Sequence, residues 1–411
     1  MWTGAEKRVA VYQMDAEPIH PEKVTPETPL ETLNLNWRER DLPERIRTKH
    51  VHRLHPYLGK FIPQLVEVFL RKFFRAGQTV MDPFCGSGTT LVQANEMGIH
   101  AVGYDISAFN VLLCRAKTTR YHLEQMRKEV LDVLEKVHRR TRSQDAAQLS
   151  LLMEQQDVIY DADGLSSSEY LQKWYAPQAL RELLTYRDIV KRGEYEYKDL
   201  LCVILSRSAR SARLTTHYDL DFPKQPVTAP YWCHKHRRIC EPTTEAFKFL
   251  KRYSIDTIHR VRQYALVRTD ADVTVYHADS RTAQFPPVDG VVTSPPYVGL
   301  IDYHEQHAYA YHLLGLRDLR DCEIGAAANG ASEKAKQQYI QDIATVFGRI
   351  LQCTPSGAPM VVVANDKHEL YGRIAEMVGV QVEAVLHRHV NRRTGRRSSE
   401  FYESIFIWRT P

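Results

Sequence analysis

The spacing of apolar and polar residues changes along the chain, and the changes divide it. Over residues 1–49 there is little periodicity and much Pro, Glu and Thr, which reads as a loosely ordered N-terminal arm. From about His50 a helical period sets in. Ile62, Leu65, Val66, Phe69, Leu70 and Phe73 share one face, and Gly77 closes the segment. The pattern then predicts a short buried strand from Thr79, a helix over 89–97, a strand over 100–105 and a helix running through Lys117. This βαβα opening predicts a parallel sheet covered by helices. Residues 121–265 carry helical periods at 121–140, 169–190, 194–213 and 243–264, set around a Pro-rich, aromatic and basic loop at 222–242. Strand patterns resume at 273–279, 290–293, 360–364, 382–389 and 404–409. The expectation is one α/β domain of seven strands, mostly parallel, ending in an antiparallel hairpin. A mainly helical domain, 121–265, is inserted between its two parts, 50–120 and 266–411.

Composition changes this picture little. A chain of 411 residues with 43% hydrophobic and 26% charged residues is globular and holds two to three modules. No run approaches the ~18 apolar residues of a membrane span, residues 1–20 lack an apolar secretory core, and seven scattered cysteines suit a reducing cytoplasm. The net charge of +5 is mild, but its placement fits a polyanionic partner. Arg207, Arg210 and Arg213 recur at i, i+3, i+6, and Lys235, Arg237 and Arg238 crowd a single loop. Both groups are candidates for phosphate contact.

Two segments carry chemistry. Asp82-Pro83-Phe84-Cys85-Gly86-Ser87-Gly88 follows a strand and opens a helix, so the glycines let the backbone approach a ligand beside unpaired helix N–H groups. Leu91 stands where a dinucleotide loop needs its third glycine, and no Gly-Lys-Ser/Thr forms a phosphate loop. Asp105, ending the next strand, is placed to accept from both hydroxyls of a ribose, and Asp279 to meet an adenine amino group. Ser294-Pro295-Pro296-Tyr297 closes a later strand. Its prolines make a rigid extended turn that presents the Ser294 side chain and the Pro295 carbonyl as paired acceptors for an exocyclic NH2, with the Tyr297 ring as a stacking face. A cysteine nucleophile would need Pro-Cys at this turn, where Pro-Pro stands. Asp302 is a helix N-cap, with Tyr303, His304 and His307 as candidate pocket residues. Cys233, His234, His236 and Cys240 are zinc-type ligands, but four within eight residues are cramped; the run reads as a basic loop, and no metal is expected.

Together these residues resemble the amino-methyltransferases of prokaryotic restriction–modification systems. The glycine loop looks like their motif I, Asp105 and Asp279 like the acids of motifs II and III, and Ser294–Tyr297 like motif IV. His55-Pro56-Tyr57-Leu58-Gly59-Lys60 looks like motif X, which implies cofactor contacts for His55, Pro56 and Lys60. The motif order differs from that of many relatives with this style of loop, as in a permuted chain. The resemblance implies a seven-stranded Rossmann-like fold, S-adenosyl-L-methionine as cofactor, and 121–265 as a target-recognition domain on duplex DNA with a flipped base. It also implies a nucleoid-associated cytoplasmic enzyme with a restriction endonuclease acting separately. Ser at the first position of motif IV accompanies cytosine N4 more often than adenine N6. Adenine N6, or an RNA amino group on the same fold, is the alternative.

Overall fold

A computed structural model of the chain describes residues 9–10, 17–59, 61–142, 168–217, 219–220, 223–299, 302–326, 328, 330–390 and 401–411. Its strands are β1 Val9–Ala10, β2 Thr79–Asp82, β3 His100–Asp105, β4 Tyr231–Cys233, β5 Arg238–Cys240, β6 Val273–His277, β7 Gly290–Thr293, β8 Pro359–Ala364, β9 Gln381–His389 and β10 Tyr402–Arg409. The main sheet has the order β1-β9-β10-β8-β7-β2-β3-β6, while β4 and β5 form a separate hairpin. Only β10 runs antiparallel to its neighbours, so the seven expected strands and the C-terminal hairpin are all present. The central strands β7 and β8 are buried at every position, as strands covered on both faces must be.

The helices are α1 Glu44–Arg47, α2 Pro63–Phe73, α3 Thr89–Glu96, α4 Ala108–Thr118, α5 Leu123–Arg142, α6 Glu169–Trp174, α7 Pro177–Arg192, α8 Lys198–Ala212, α9 Phe247–Ala265, α10 Tyr303–Gln306, α11 Ala308–Leu314, α12 Glu333–Leu351 and α13 Tyr371–Val378. Two apolar clusters cover the two faces of the sheet. A third fills the helical insertion and continues onto Phe109 and Leu113 of α4 and Tyr309 of α11. Inside the insertion, the buried Glu182 accepts from the N–H groups of Ala246 and Phe247 at 2.6 and 2.7 Å, so α7 caps α9. Among the described residues no helix is long and apolar enough to cross a membrane.

Three expectations need correction, and the seven-stranded sheet is extended by one short strand. Much of the N-terminal arm is packed: Leu33 and Leu35 are fully buried, and the Trp37 indole donates to the Ile19 carbonyl at 2.8 Å. Its apolar residues show no helical or strand period because the arm is built of short 3-10 turns at Pro21–Lys23 and Leu30–Thr32. β1 also adds an eighth strand, pairing parallel with β9. The helix expected over 169–190 is two, because Pro177 holds Ala176 extended (ψ 149°). The loop expected at 222–242 contains the β4–β5 hairpin.

Candidate active site

The parallel neighbours β6, β3, β2 and β7 all end at one edge of the sheet. The chain winds outward from β2 in one direction through β3 and in the other through β7, which makes that edge the place where such sheets bind ligands. A cavity of about 780 Å³, counting the space open to solvent, lies there. Its walls include Pro83, Phe84, Gly86, Asp105, Asp279 and Ser294, so both expected halves of the site meet in one space.

The glycine loop is built around two left-handed residues, Gly86 (φ 47°) and Gly88 (φ 76°). A Cβ on Gly88 would stand 2.9 Å from the Cys114 sulfur, and one on Gly86 would stand 3.2 Å from the Tyr57 hydroxyl. Both positions therefore need glycine for conformation and for space. The fully buried Lys117 ammonium donates to the Ser87 carbonyl and pins the loop from beneath.

Asp105 accepts from the Gly86 amide (2.8 Å), the Ser107 amide (2.8 Å) and the Asn110 side chain (3.1 Å). A carboxylate offers roughly four acceptor positions, so about one is left, on Oδ2. That suits one ribose hydroxyl rather than the two expected. Burial raises its pKa above the usual carboxylate value. Asp279 is gripped by Arg281, with contacts of 2.7, 3.0 and 3.1 Å. Despite partial burial, that guanidinium holds the Asp279 carboxyl below its ordinary pKa.

Asp82 is not on the cavity surface. It is fully buried behind the loop, accepting from the Thr293 hydroxyl at 2.6 Å and the Phe84 amide at 3.2 Å on the same oxygen. It thus ties the end of β2 to the end of β7 and sets the Ser294–Tyr297 turn against the glycine loop. Desolvation by burial pushes its pKa up to about 6, outweighing the hydrogen bonds that favour the charged form.

In the turn itself the Ser294 hydroxyl is buried with no hydrogen-bond partner among the described residues, beside the Tyr297 phenol. Pro295 is buried and lines neither cavity, whereas Pro296 lines the first and its carbonyl accepts from the Tyr339 hydroxyl at 2.9 Å. Tyr297 is 8% exposed; its ring lies 6.4 Å from that of Phe401 and its hydroxyl donates to Glu403 at 3.2 Å. It does not line the first cavity but a second, of about 660 Å³, with Tyr339, Asn365, Asp366 and Tyr371. Two cavities therefore share one four-residue turn.

Motif X reaches the first cavity through other residues than those expected. Tyr57, Gly59 and Phe61 line it, whereas Pro56 is exposed on the surface. His55 turns toward the helical insertion: Nδ1 donates to the Pro56 carbonyl (2.7 Å), and Nε2 accepts from the Ser206 hydroxyl (3.2 Å). Complete burial drives its pKa well down, so the ring is neutral. Lys60 lies outside the described residues. Tyr303 stacks on Tyr57 at 5.8 Å and joins the wall, as does Glu323, which is paired with the buried His304. Asp302 caps α10 as expected, accepting from the Glu305 amide at 2.9 Å. Tyr57 was legible as part of a motif, but nothing local in the sequence marks Asn110, Lys117 or Glu323.

Arg207 and Arg210 of α8 and Arg213 at its C-cap are not a row facing solvent. Arg213 is 3% exposed, donates to the Leu220 carbonyl and covers the Tyr309 ring at 4.6 Å. Arg207 is ion-paired with Asp256 at 2.6 Å over Tyr253, and Arg210 is half-buried. Arg213 stands just past the helix as its extended C-cap (φ −62°, ψ 149°), so the helical spacing of the other two does not carry over to it. Lys235, Arg237 and Arg238, by contrast, are exposed on the β4–β5 hairpin.

The first cavity holds Asp105, Asp279 and Glu323 and, among the described residues, no Lys or Arg in its walls. Such walls repel the pyrophosphate of a dinucleotide and suit a cationic nucleoside. With this sheet order the chain has the S-adenosylmethionine-dependent methyltransferase fold. Residues 20–114 match the family model described as DNA methylase. Type II methyltransferase M.MjaII of Methanocaldococcus jannaschii is 37% identical over 430 residues, covering 89% of this chain and 81% of that protein. Type II methyltransferases M.BsoBI of Geobacillus stearothermophilus and M.MvaI of Kocuria varians are both 23% identical. Those alignments cover 71% and 60% of this chain and 58% and 53% of the relatives. The chain belongs to the prokaryotic DNA amino-methyltransferase family, and S-adenosyl-L-methionine is its methyl donor.

Proposed function

We propose that the chain methylates the N4 amino group of cytosine at a specific site in duplex DNA, acting on a base turned out of the helix. The observation that carries this is the buried, unsatisfied Ser294 hydroxyl on the cofactor cavity, in a turn whose last residue walls a second cavity. A paired base hides its amino group, so it must leave the stack to react. The second cavity is where it would be received. S-adenosylmethionine supplies the methyl group as a sulfonium when bound. Ser294 accepts one hydrogen bond from the amino group and orients its nitrogen without placing a carboxylate against a pyrimidine ring. Ser294 is not a base: the proton leaves after attack, when the nitrogen has become acidic. Asp105 and the glycine loop hold the nucleoside, and the exposed Lys235, Arg237 and Arg238 contact DNA phosphates. In a restriction–modification pair the partner endonuclease acts separately on the same site.

Nucleoside mass spectrometry after reaction with labelled cofactor tests this reading. 4-Methylcytosine in duplex DNA supports it, whereas 6-methyladenine would overturn the serine argument. Labelling of RNA in preference to DNA would overturn the substrate. Ser294→Ala should lower turnover while leaving cofactor affinity within about twofold, because the lost contact acts on the base.

A further inference from the structure

The β4–β5 hairpin has no apolar core of its own. On its outer face Trp232 pairs with Ile239, and the two are 54% and 60% exposed. A two-stranded hairpin in water is marginal at best, so something else must hold this one. Its inner face carries Cys233 and Cys240, which are 2% and 8% exposed. His236 from the turn and His217, which follows α8, converge on the same point. One ligand atom from each of the four residues lies within 4.8 Å of all the others. His234, one of the four candidates within the run, is exposed and not part of the cluster. The missing fourth ligand comes from His217, distant in sequence, which relieves the cramped spacing.

The distances are those of a tetrahedron. With Zn–S about 2.3 Å and Zn–N about 2.0–2.1 Å, adjacent sulfur and nitrogen ligands stand about 3.6 Å apart. Here the Cys233 sulfur is 3.6 Å from Nδ1 of both His217 and His236, and the Cys240 sulfur is 3.5 Å from Nδ1 of His236. Arg237, at φ 52°, takes the left-handed turn that brings His236 back over Cys233; the His236 and Arg237 amides donate to the Cys233 carbonyl at 3.2 and 2.7 Å. The Tyr231 hydroxyl, 2.8 Å from His217 Nδ1, is the partner that nitrogen has without a metal. Two thiolates and two imidazoles form a closed borderline-soft set, suited to zinc and poor for magnesium or calcium.

We propose that His217, Cys233, His236 and Cys240 form a structural Zn²⁺ site that fastens the β4–β5 hairpin to the segment after α8. The site leaves no position open for substrate. It fixes the loop that carries Lys235, Arg237 and Arg238 and takes no part in methyl transfer.

The test is metal content of the full chain, purified under reducing conditions, loaded with Zn²⁺ and desalted. About one zinc per chain is expected. Replacement by Co²⁺ should give the visible bands of tetrahedral cobalt together with near-ultraviolet thiolate charge transfer. Cys240→Ser and His217→Ala should each lower zinc to below about a tenth of an equivalent. If Cys240→Ser fails to fold, the cobalt spectrum of the parent decides alone. A folded, thiol-reduced parent that retains no zinc overturns the proposal. So does metal that persists in both variants, or a parent isolated with a Cys233–Cys240 disulfide. None of these readouts depends on methyltransferase activity, so they stand or fall apart from the choice of base.

Discussion

Asp82 places an ionisable group where water does not reach, and its substitution has a sign that pH can read. Its pKa rises from an ordinary 3.8 to about 6, which corresponds to about 3 kcal/mol against the charged form. The folded protein binds this proton more tightly than the unfolded chain. The burden is therefore small near pH 4, grows as pH rises toward 6, and is fully present above that. Asp82→Asn keeps an oxygen to accept from Thr293 and Phe84 and removes the charge. Relative to the parent, the variant should gain about 1.3 kcal/mol between pH 5 and pH 7, a widening in Tm of roughly 1–3 °C for a chain this large. Whatever the amide costs by lacking a partner of its own is independent of pH, so the slope is the informative quantity. The assay is thermal unfolding of both proteins, without cofactor, across pH 5 to 8. A Tm difference that stays constant, or one that moves in the parent's favour as pH rises, would refute the reasoning.

On the proposed role of Asp105 in holding the nucleoside, Asp105→Ala should weaken S-adenosylmethionine binding by about 1.5–3 kcal/mol, roughly 10- to 150-fold by calorimetric titration, the worth of one charge-assisted hydrogen bond. Gly88→Ala should lower stability by at least about 1 kcal/mol, read as a lower denaturation midpoint, because a positive φ and the Cys114 sulfur oppose it together. Replacing Lys235, Arg237 and Arg238 should flatten the salt dependence of DNA binding by up to about 0.9 per lost phosphate contact. Arg213→Ala should instead leave that slope unchanged and cost about 1.5–3 kcal/mol in unfolding, because its guanidinium donates to the Leu220 carbonyl and covers Tyr309 in the interior.

The sheet and its two chemical turns were legible because they rest on local demands. Gly86 and Gly88 need positive φ, paired prolines fix an extended turn, and buried strands read as apolar runs. What was illegible depends on partners far away in sequence. Arg213 looks like a surface charge until Tyr309 is known to lie beneath it, and His55 looks like a pocket residue until Ser206 occupies its Nε2. Asp82 looks like a ligand contact, yet its partner is Thr293, 211 residues on. The packed arm was missed for a different reason, since Leu33 and Leu35 are buried from 3-10 turns and irregular chain that have no period to detect.

The passage from β3 to β6 reaches beyond the geometry of one site. Neighbouring parallel strands need only a crossover of about a dozen residues. Here that crossover has grown into a helical body with its own core, while β3 and β6 keep an unbroken register from Ala101 opposite Val273 to Asp105 opposite His277. The sheet is blind to the size of what hangs between two of its strands. Lineages could rebuild or exchange this body while the methyl-transferring edge is inherited intact, provided Phe109, Leu113 and Tyr309 still find apolar partners at the seam. Divergence should accordingly be uneven along the chain, fastest between α5 and α9 and slowest at the ends of β2, β3 and β7.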